Sequence, residues 1–200
     1  MNEKIEAILQ FWYPEMLADG QMSEDNMRRW FQKNTAFDAE IKDRFESDVL
    51  QASLGEHDEW LQSGKGGLAL IILLDQFRRN IYRADARAFE SDARALRYAK
   101  QMIAEKKDNT LPVLMRVFVY MPFMHAENNA DQFEGVRQFQ RLFEEIDGPL
   151  QKIVAMNRDY AEQHAAIIKR FGRFPHRNKA LSRKSTPDEI KFLKLPGSAF

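Results

Sequence analysis

Seven consecutive apolar residues, Leu68 to Leu74 (LALIILL), run directly into DQFRRNIYR, Asp75 to Arg83. A segment that is apolar all round must be buried all round, so the rest of the chain has to be built about it. From Leu68 to Phe77 the pattern suits a strand inside a parallel sheet or the central helix of an all-helical domain. Helical spacing on both sides favours the helix. The run is much shorter than the roughly 20 residues that span a bilayer. Its charged continuation is the second constraint, because ionised groups at the edge of a core persist only when paired or when they serve a ligand.

Apolar spacing is helical elsewhere too. Ile5, Ile8, Leu9 and Trp12 fall at i, i+3, i+4 and i+7, and Pro14 ends the pattern. A short helix is predicted over 24–31 behind Ser23, and a longer one carries Phe37, Ile41, Phe45 and Val49 up to Gly55. SGKGG, 63–67, reads as a flexible turn. Beyond Asp85, Phe89, Ala93, Leu96 and Ile103 share a face, with Ser91 as an internal cap. A buried helix beginning at Leu111 is expected to stop at Pro122, delivering His125 and Glu127 onto a turn. Phe133, Val136, Phe139, Phe143 and Ile146 mark the next, and Gly148 and Pro149 separate it from a long helix carrying Ile153, Tyr160, His164, Ile168 and Phe171. Thr186, Pro187, Asp188 and Glu189 form a capping box with proline at the first helical position. Strand alternation is nearly absent, and no linker or low-complexity run divides the chain. One all-α domain over 1–200, with antiparallel helix pairs, is expected.

Thirty basic and thirty acidic side chains cancel, so no overall field draws the molecule to nucleic acid or an anionic membrane. Without cysteine there is no disulfide framework, thiolate nucleophile or zinc–thiolate site. Charges in the opening MNEKIEAILQFW interrupt the apolar stretch an export signal needs, and a cytoplasmic location is expected. Neither a cofactor nor a metal is called for by any motif.

Three polar stretches stand against this background. In the first, Asp75 and Arg79 lie at i, i+4 and share a helical face, with Tyr82 and Arg83 beyond. The second, YMPFMHAENN, holds His125 and Glu127, residue types that serve as general base and orienting carboxylate, as two metal ligands, or simply as a cap or packed ring at a helix boundary. The third, RFGRFPHRN, follows His164 on the apolar face of its helix. Gly172 suits a helix terminator there, and Lys169, Arg170 and Arg173 complement the negative helix end. Capping leaves His176 and Arg177 unexplained, and their rigid, aromatic-flanked loop suggests an anion-binding wall.

LALIILLDQFRRNIYR, YMPFMHAE, AAIIKRFGRFPHRN and STPDEIKFLKLPGSAF, in that order, resemble the bacterial domain-of-unknown-function 924 family along essentially the whole chain. The resemblance implies an all-α, tetratricopeptide-like right-handed helical array and no established reaction. It also implies DQFPRN where this chain has Arg78, and MPxEHSE where it has Met124 and Ala126. Met124 can neither transfer a proton nor ligate a hard metal as a glutamate would.

A binding module is the leading expectation. Asp75, Arg79, Tyr82, Arg83, His125, Glu127, His164, Arg173, His176 and Arg177 would converge on one pocket for an anionic small molecule or an acidic peptide end. The alternative is a hydrolase or transferase in which a histidine and a carboxylate move protons and arginines hold developing negative charge. RNA binding through Lys169–Lys184, with Phe171 and Phe174 stacking on bases, is opposed by the zero net charge. Exposed aromatics such as Trp30, Phe31 and Phe200 would suit a partner protein or a homo-oligomer.

Overall fold

The structure is a computed structural model and describes residues 2–16 and 20–198; Phe200 lies outside the described residues. Helix α1 spans Glu3–Trp12, α2 Glu24–Phe31 and α3 Thr35–Leu54. Next come α4, Gly64–Ile71, a π turn over Ile72–Phe77 and α5, Arg78–Ile81, which run on as one rod. Helix α6 covers Asp92–Ala104, α7 Val113–His125, α8 Asn129–Glu144, α9 Pro149–Phe171 and α10 Pro187–Phe192. Short 3₁₀ turns join several of them, and no strand occurs among the described residues.

The rod is the axis of the molecule. Leu68 to Leu74 and Phe77 are entirely inaccessible to solvent. Helices α1, α6 and α7 pack on α4, α3 lies along the π turn and α5, and α8 rests on both α7 and α9. Aromatic rings fill the space between α1, α3 and the rod: Phe45 lies 4.9 Å from Phe77, and Trp12 lies 5.5 Å from both Phe77 and Phe118. Trp30 belongs to this cluster, stacked near Trp12 and donating its indole N–H to the Trp12 carbonyl, so it is no free docking residue; Phe31 beside it is exposed.

Local chemistry overrides the sequence pattern at three places. SGKGG is not a flexible turn: Ser63 caps α4 by accepting from the Gly66 amide, and the glycines form its first turn. Their small size is what the packing requires, because a Cβ on Gly66 would overlap the Trp60 carbonyl oxygen and one on Gly67 would meet Met102. Gly66→Ala is therefore expected to cost about 2–3 kcal/mol of stability, read as the midpoint of urea unfolding. A change within 0.5 kcal/mol, as expected of about that size at ordinary surface sites, would contradict this packing.

Pro122 does not end α7. The helix passes through it to His125. An interior proline costs roughly 3 kcal/mol, but Phe118, Val119, Tyr120, Met121, Phe123 and Met124 around it are buried, each worth about 1.5–3 kcal/mol, so packing outweighs the lost hydrogen bond. In α6 the buried face is Ala95, Tyr98, Ala99 and Met102, displaced by a few positions from the expected stripe, and Ala93 is exposed. Ser91 makes no capping bond; its hydroxyl pairs with that of Ser53 at 3.0 Å.

Candidate functional site

The rod widens just where its charges begin. The Arg78 amide reaches the Leu73 carbonyl, five residues back, and Asp75 sits inside this π turn. Such turns recur at functional sites because the extra residue re-aims the side chains that follow. Asp75 is wholly buried, yet its carboxylate is fully engaged. Oδ1 accepts from His125 Nδ1 at 2.7 Å and from Arg79 Nη2 at 3.1 Å, and Oδ2 accepts from the Gln76 amide. Sharing one oxygen keeps the imidazole and the guanidinium adjacent.

A second carboxylate extends the network. Arg79 Nη2 also donates to Asp92 Oδ1 at 2.9 Å, and Arg177 Nη1 donates to Asp92 Oδ2 at 3.1 Å. The Arg177 guanidinium lies between the rings of Phe89 and Phe174, 4.7 and 4.6 Å from their centres. His164, on α9, gives its Nδ1–H to the Tyr160 carbonyl at 2.7 Å and stands 6.2 Å from the His125 ring.

Burial and mutual repulsion keep these histidines neutral. Burial, joined by Arg79, moves the His125 pKa below its ordinary value against the pull of Asp75. Burial, with His125 and Arg177 nearby, pushes His164 down to about 3, and burial with the adjacent arginines takes His176 to about 4. Burial would raise Asp75, but His125 and Arg79 together outweigh it and hold it ionised below the usual carboxylate range. Arg177 falls to about 10 through burial and the neighbouring Arg79, and so stays charged at neutral pH. Because Nδ1–H of His125 is fixed on Asp75, its Nε2 carries the lone pair.

Asp75 lies beneath a cleft of about 1060 Å³, behind the lining residues Gln76, Arg79 and His125 that it bonds. Gln76, Arg79, His125 and His164 supply polar groups, while Met121, Met124, Met156 and Phe31 give apolar walls. Lys152, Asp159, Tyr160 and Gln163 from α9, with Gly197, complete the lining. Among the described residues, no group of three or more histidine, aspartate or glutamate side chains is placed to hold a metal ion.

Only some of the expected residues meet there. Arg79, His125 and His164 line the cleft, with Asp75 beneath them and Arg177 and His176 immediately behind. Glu127 does not face the cleft: it accepts the Phe174 amide at 2.8 Å and both terminal nitrogens of Arg183, clasping the 170–185 segment to the end of α7. Arg173 serves α10, bonded through two nitrogens to Glu189 at 2.7 and 2.9 Å. Tyr82 and Arg83 turn to α3, where they pair with Glu46 and Asp38. The RFGRFPHRN stretch is thus mainly a structural clasp whose inner edge, Arg177 and His176, backs the site.

That clasp also engages part of the basic stretch Lys169–Lys184. Arg173, Arg177 and Arg183 are committed to Glu189, Asp92 and Glu127, Phe174 is buried, and Phe171 packs on Phe192. Sequence reasoning missed Asp92, Arg183, Met121 and Met156. Asp92 sits among surface-type charges in the sequence, and nothing short of the fold brings it to Arg79 and Arg177.

The family described as bacterial proteins of unknown function, DUF924, matches residues 8–197. The chain belongs to that family. It is also similar to a solved structure of a protein of unknown function from Agrobacterium tumefaciens, with 36% identity, a TM-score of 0.80, and 95% of this chain and 96% of that one covered. No match occurs among curated proteins. Both the backbone and the side chain of Arg78 are used: the amide closes the π turn, and the guanidinium bonds Ser53 Oγ at 2.9 Å, the Arg87 carbonyl and Glu90. Met124 makes the wall beside His125 apolar.

Proposed function

We propose that the protein is a ligand-binding module whose cleft takes an amphipathic anion, a small molecule or an acidic peptide end, with its charged head on the floor and its apolar body along the methionines. One observation carries this reading: a cavity of about 1060 Å³ whose apolar walls converge on Arg79 and an Asp75-braced His125. Pockets of this size, mostly apolar with a few placed polar groups, are the usual form of small-molecule sites. Thioether side chains adapt their shape to an apolar chain more readily than branched ones.

The head group does not rely on a net field. Asp75 and Asp92 balance Arg79 and Arg177, so recognition rests on hydrogen bonding. Arg79 Nε is buried without a partner, and Nη1 donates to none of the described residues. A carboxylate or phosphate arriving there takes up the Nη1 donors, since Nε is enclosed, and its charge draws a proton onto His125 Nε2. Binding in this reading strengthens as pH falls. The tetratricopeptide-like view of the array belongs to the same proposal, since α7, α8 and α9 are neighbours in sequence and in space. So does a cytoplasmic location. No helix among the described residues is long and apolar enough to cross a membrane.

A thermal-shift series with acetate, hexanoate, octanoate, inorganic phosphate and short peptides ending in glutamate tests it. At a hundredfold excess over Kd, a ligand adds about 2.7 kcal/mol, which for a chain of this size is roughly 5–10 °C. Octanoate is expected to give such a shift and acetate none. Equal, negligible shifts across the series would overturn the reading.

A further inference from the structure

The floor of the cleft holds more than a docking site needs. A ligand head requires donors; it does not require an imidazole whose one nitrogen is locked on a buried carboxylate while the other keeps its lone pair. Asp75 is completely enclosed, and its Oδ1 is 2.7 Å from His125 Nδ1, which fixes the tautomer and the ring plane. His125 lines the cleft, and its Nε2 bonds to none of the described residues. Arg79, sharing the same carboxylate oxygen, adds the N–H groups of Nη1, which donate to none of the described residues. A base, the group that orients it and a cation for developing negative charge thus meet at the end of an apolar cleft.

We infer that the cleft hydrolyses a carboxylic ester carrying an apolar acyl chain, with His125 as general base acting on water. The inference rests on the cleft being the ligand site, and it names the bound amphipathic carboxylate as the product. Water is the nucleophile, since no serine, threonine or cysteine occurs among the described lining residues. As the water oxygen bonds to the carbonyl carbon, its proton passes to Nε2 and the carbonyl electron pair moves onto oxygen, beside Arg79. Collapse restores the C=O bond and breaks the bond to the alcohol oxygen, which leaves with the proton held on Nε2. One ester and one water become one acid and one alcohol. Asp75 stays ionised throughout and balances the transient imidazolium.

Burial, with Arg79, keeps His125 neutral and therefore basic at pH 7. The facing groups are Asp75 and Arg79 from the rod, Asp92 from α6, His164 from α9 and His176 from the turn after Pro175. Met124 adds no charge to the wall, whereas a glutamate there would add a negative one and raise the His125 pKa.

The test uses ethyl octanoate, with released octanoate measured by chromatography, and octanoate binding measured separately by calorimetry. The wild type is expected to exceed the buffer rate by at least about 100-fold, the low end for positioned acid–base groups. His125→Gln should lose that factor while still melting cooperatively. His57→Gln, whose ring stacks on Trp60 outside the cleft lining, should keep it. The rate should rise with pH through the titration of His125 and then level, and Met124→Glu should move that rise to higher pH, a displacement that a purely structural His125 would not produce. If octanoate binds but the ester is not hydrolysed above buffer, or His125→Gln retains the wild-type rate, the hydrolytic inference fails and the binding reading stands. Absence of both binding and hydrolysis overturns both.

Discussion

Asp75→Ala is expected to lower the stability of the folded protein by about 3–5 kcal/mol, the range for removing one partner of a buried ion pair. Asp75 is fully enclosed, and two cationic or titratable side chains, His125 and Arg79, bond to the same carboxylate oxygen. Removing it leaves the His125 Nδ1–H without an acceptor and Arg79 with Asp92 alone. Guanidinium unfolding reads the effect. Replacing Arg79 by methionine in the same chain should recover part of the loss, because the stranded cation is then gone. Arg28→Ala provides the contrast: its pairs with Glu24 and Asp25 are solvent-exposed, and such pairs are typically worth less than 1 kcal/mol. An Asp75→Ala protein within 1 kcal/mol of wild type would mean that the network is not as enclosed as described.

The second large effect is acid sensitivity above the carboxylate range. His164 and His176 have folded-state pKa values near 3 and 4, below the ordinary histidine value of about 6.5. The unfolded chain therefore binds protons in this window that the folded one refuses, so stability falls as pH drops below about 6.5. At pH 5 each histidine costs about 2 kcal/mol relative to pH 7; with His176 discounted for partial exposure, the pair costs about 3 kcal/mol. His125 shifts in the same direction. Asp75, Glu127 and Glu189 have lowered pKa values, so the stability they contribute is lost only as pH falls below about 4. The melting temperature should drop roughly 6–12 °C between pH 7 and 5, and His164→Gln should remove about half of that slope. A flat profile over this interval would contradict the burial of the histidines.

The central helix and the charges at its end were legible in the sequence because an uninterrupted apolar run leaves few alternatives. Asp75, Arg79, His125 and His164 could be named for a related reason: each is a polar group attached to an apolar pattern. The pairing partners were not legible. Arg173 and Arg177 are four residues apart, yet one serves Glu189 in the tail clasp and the other Asp92 under the cleft. That difference arises from the turn after Gly172, whose φ of 69° sends the chain back over α9. Pro122 misled for the opposite reason, since a local rule about helix interiors yields to the burial of six neighbours. The methionine walls carry no sequence signal at all, because core and cleft methionines look alike until the cavity is seen.

Calorimetric titration of octanoate into the wild type and into Ala155→Trp tests the cleft most directly. Ala155 lines the cavity on the α9 side and is only partly buried, so an indole there fills the space without disturbing the Asp75 network. If the cleft is the ligand site, the wild type binds octanoate with proton uptake that grows between pH 7 and 6, and Ala155→Trp, equally stable, binds at least about tenfold more weakly. Undiminished binding by a folded Ala155→Trp protein would place the ligand elsewhere and remove the functional role assigned to the cleft.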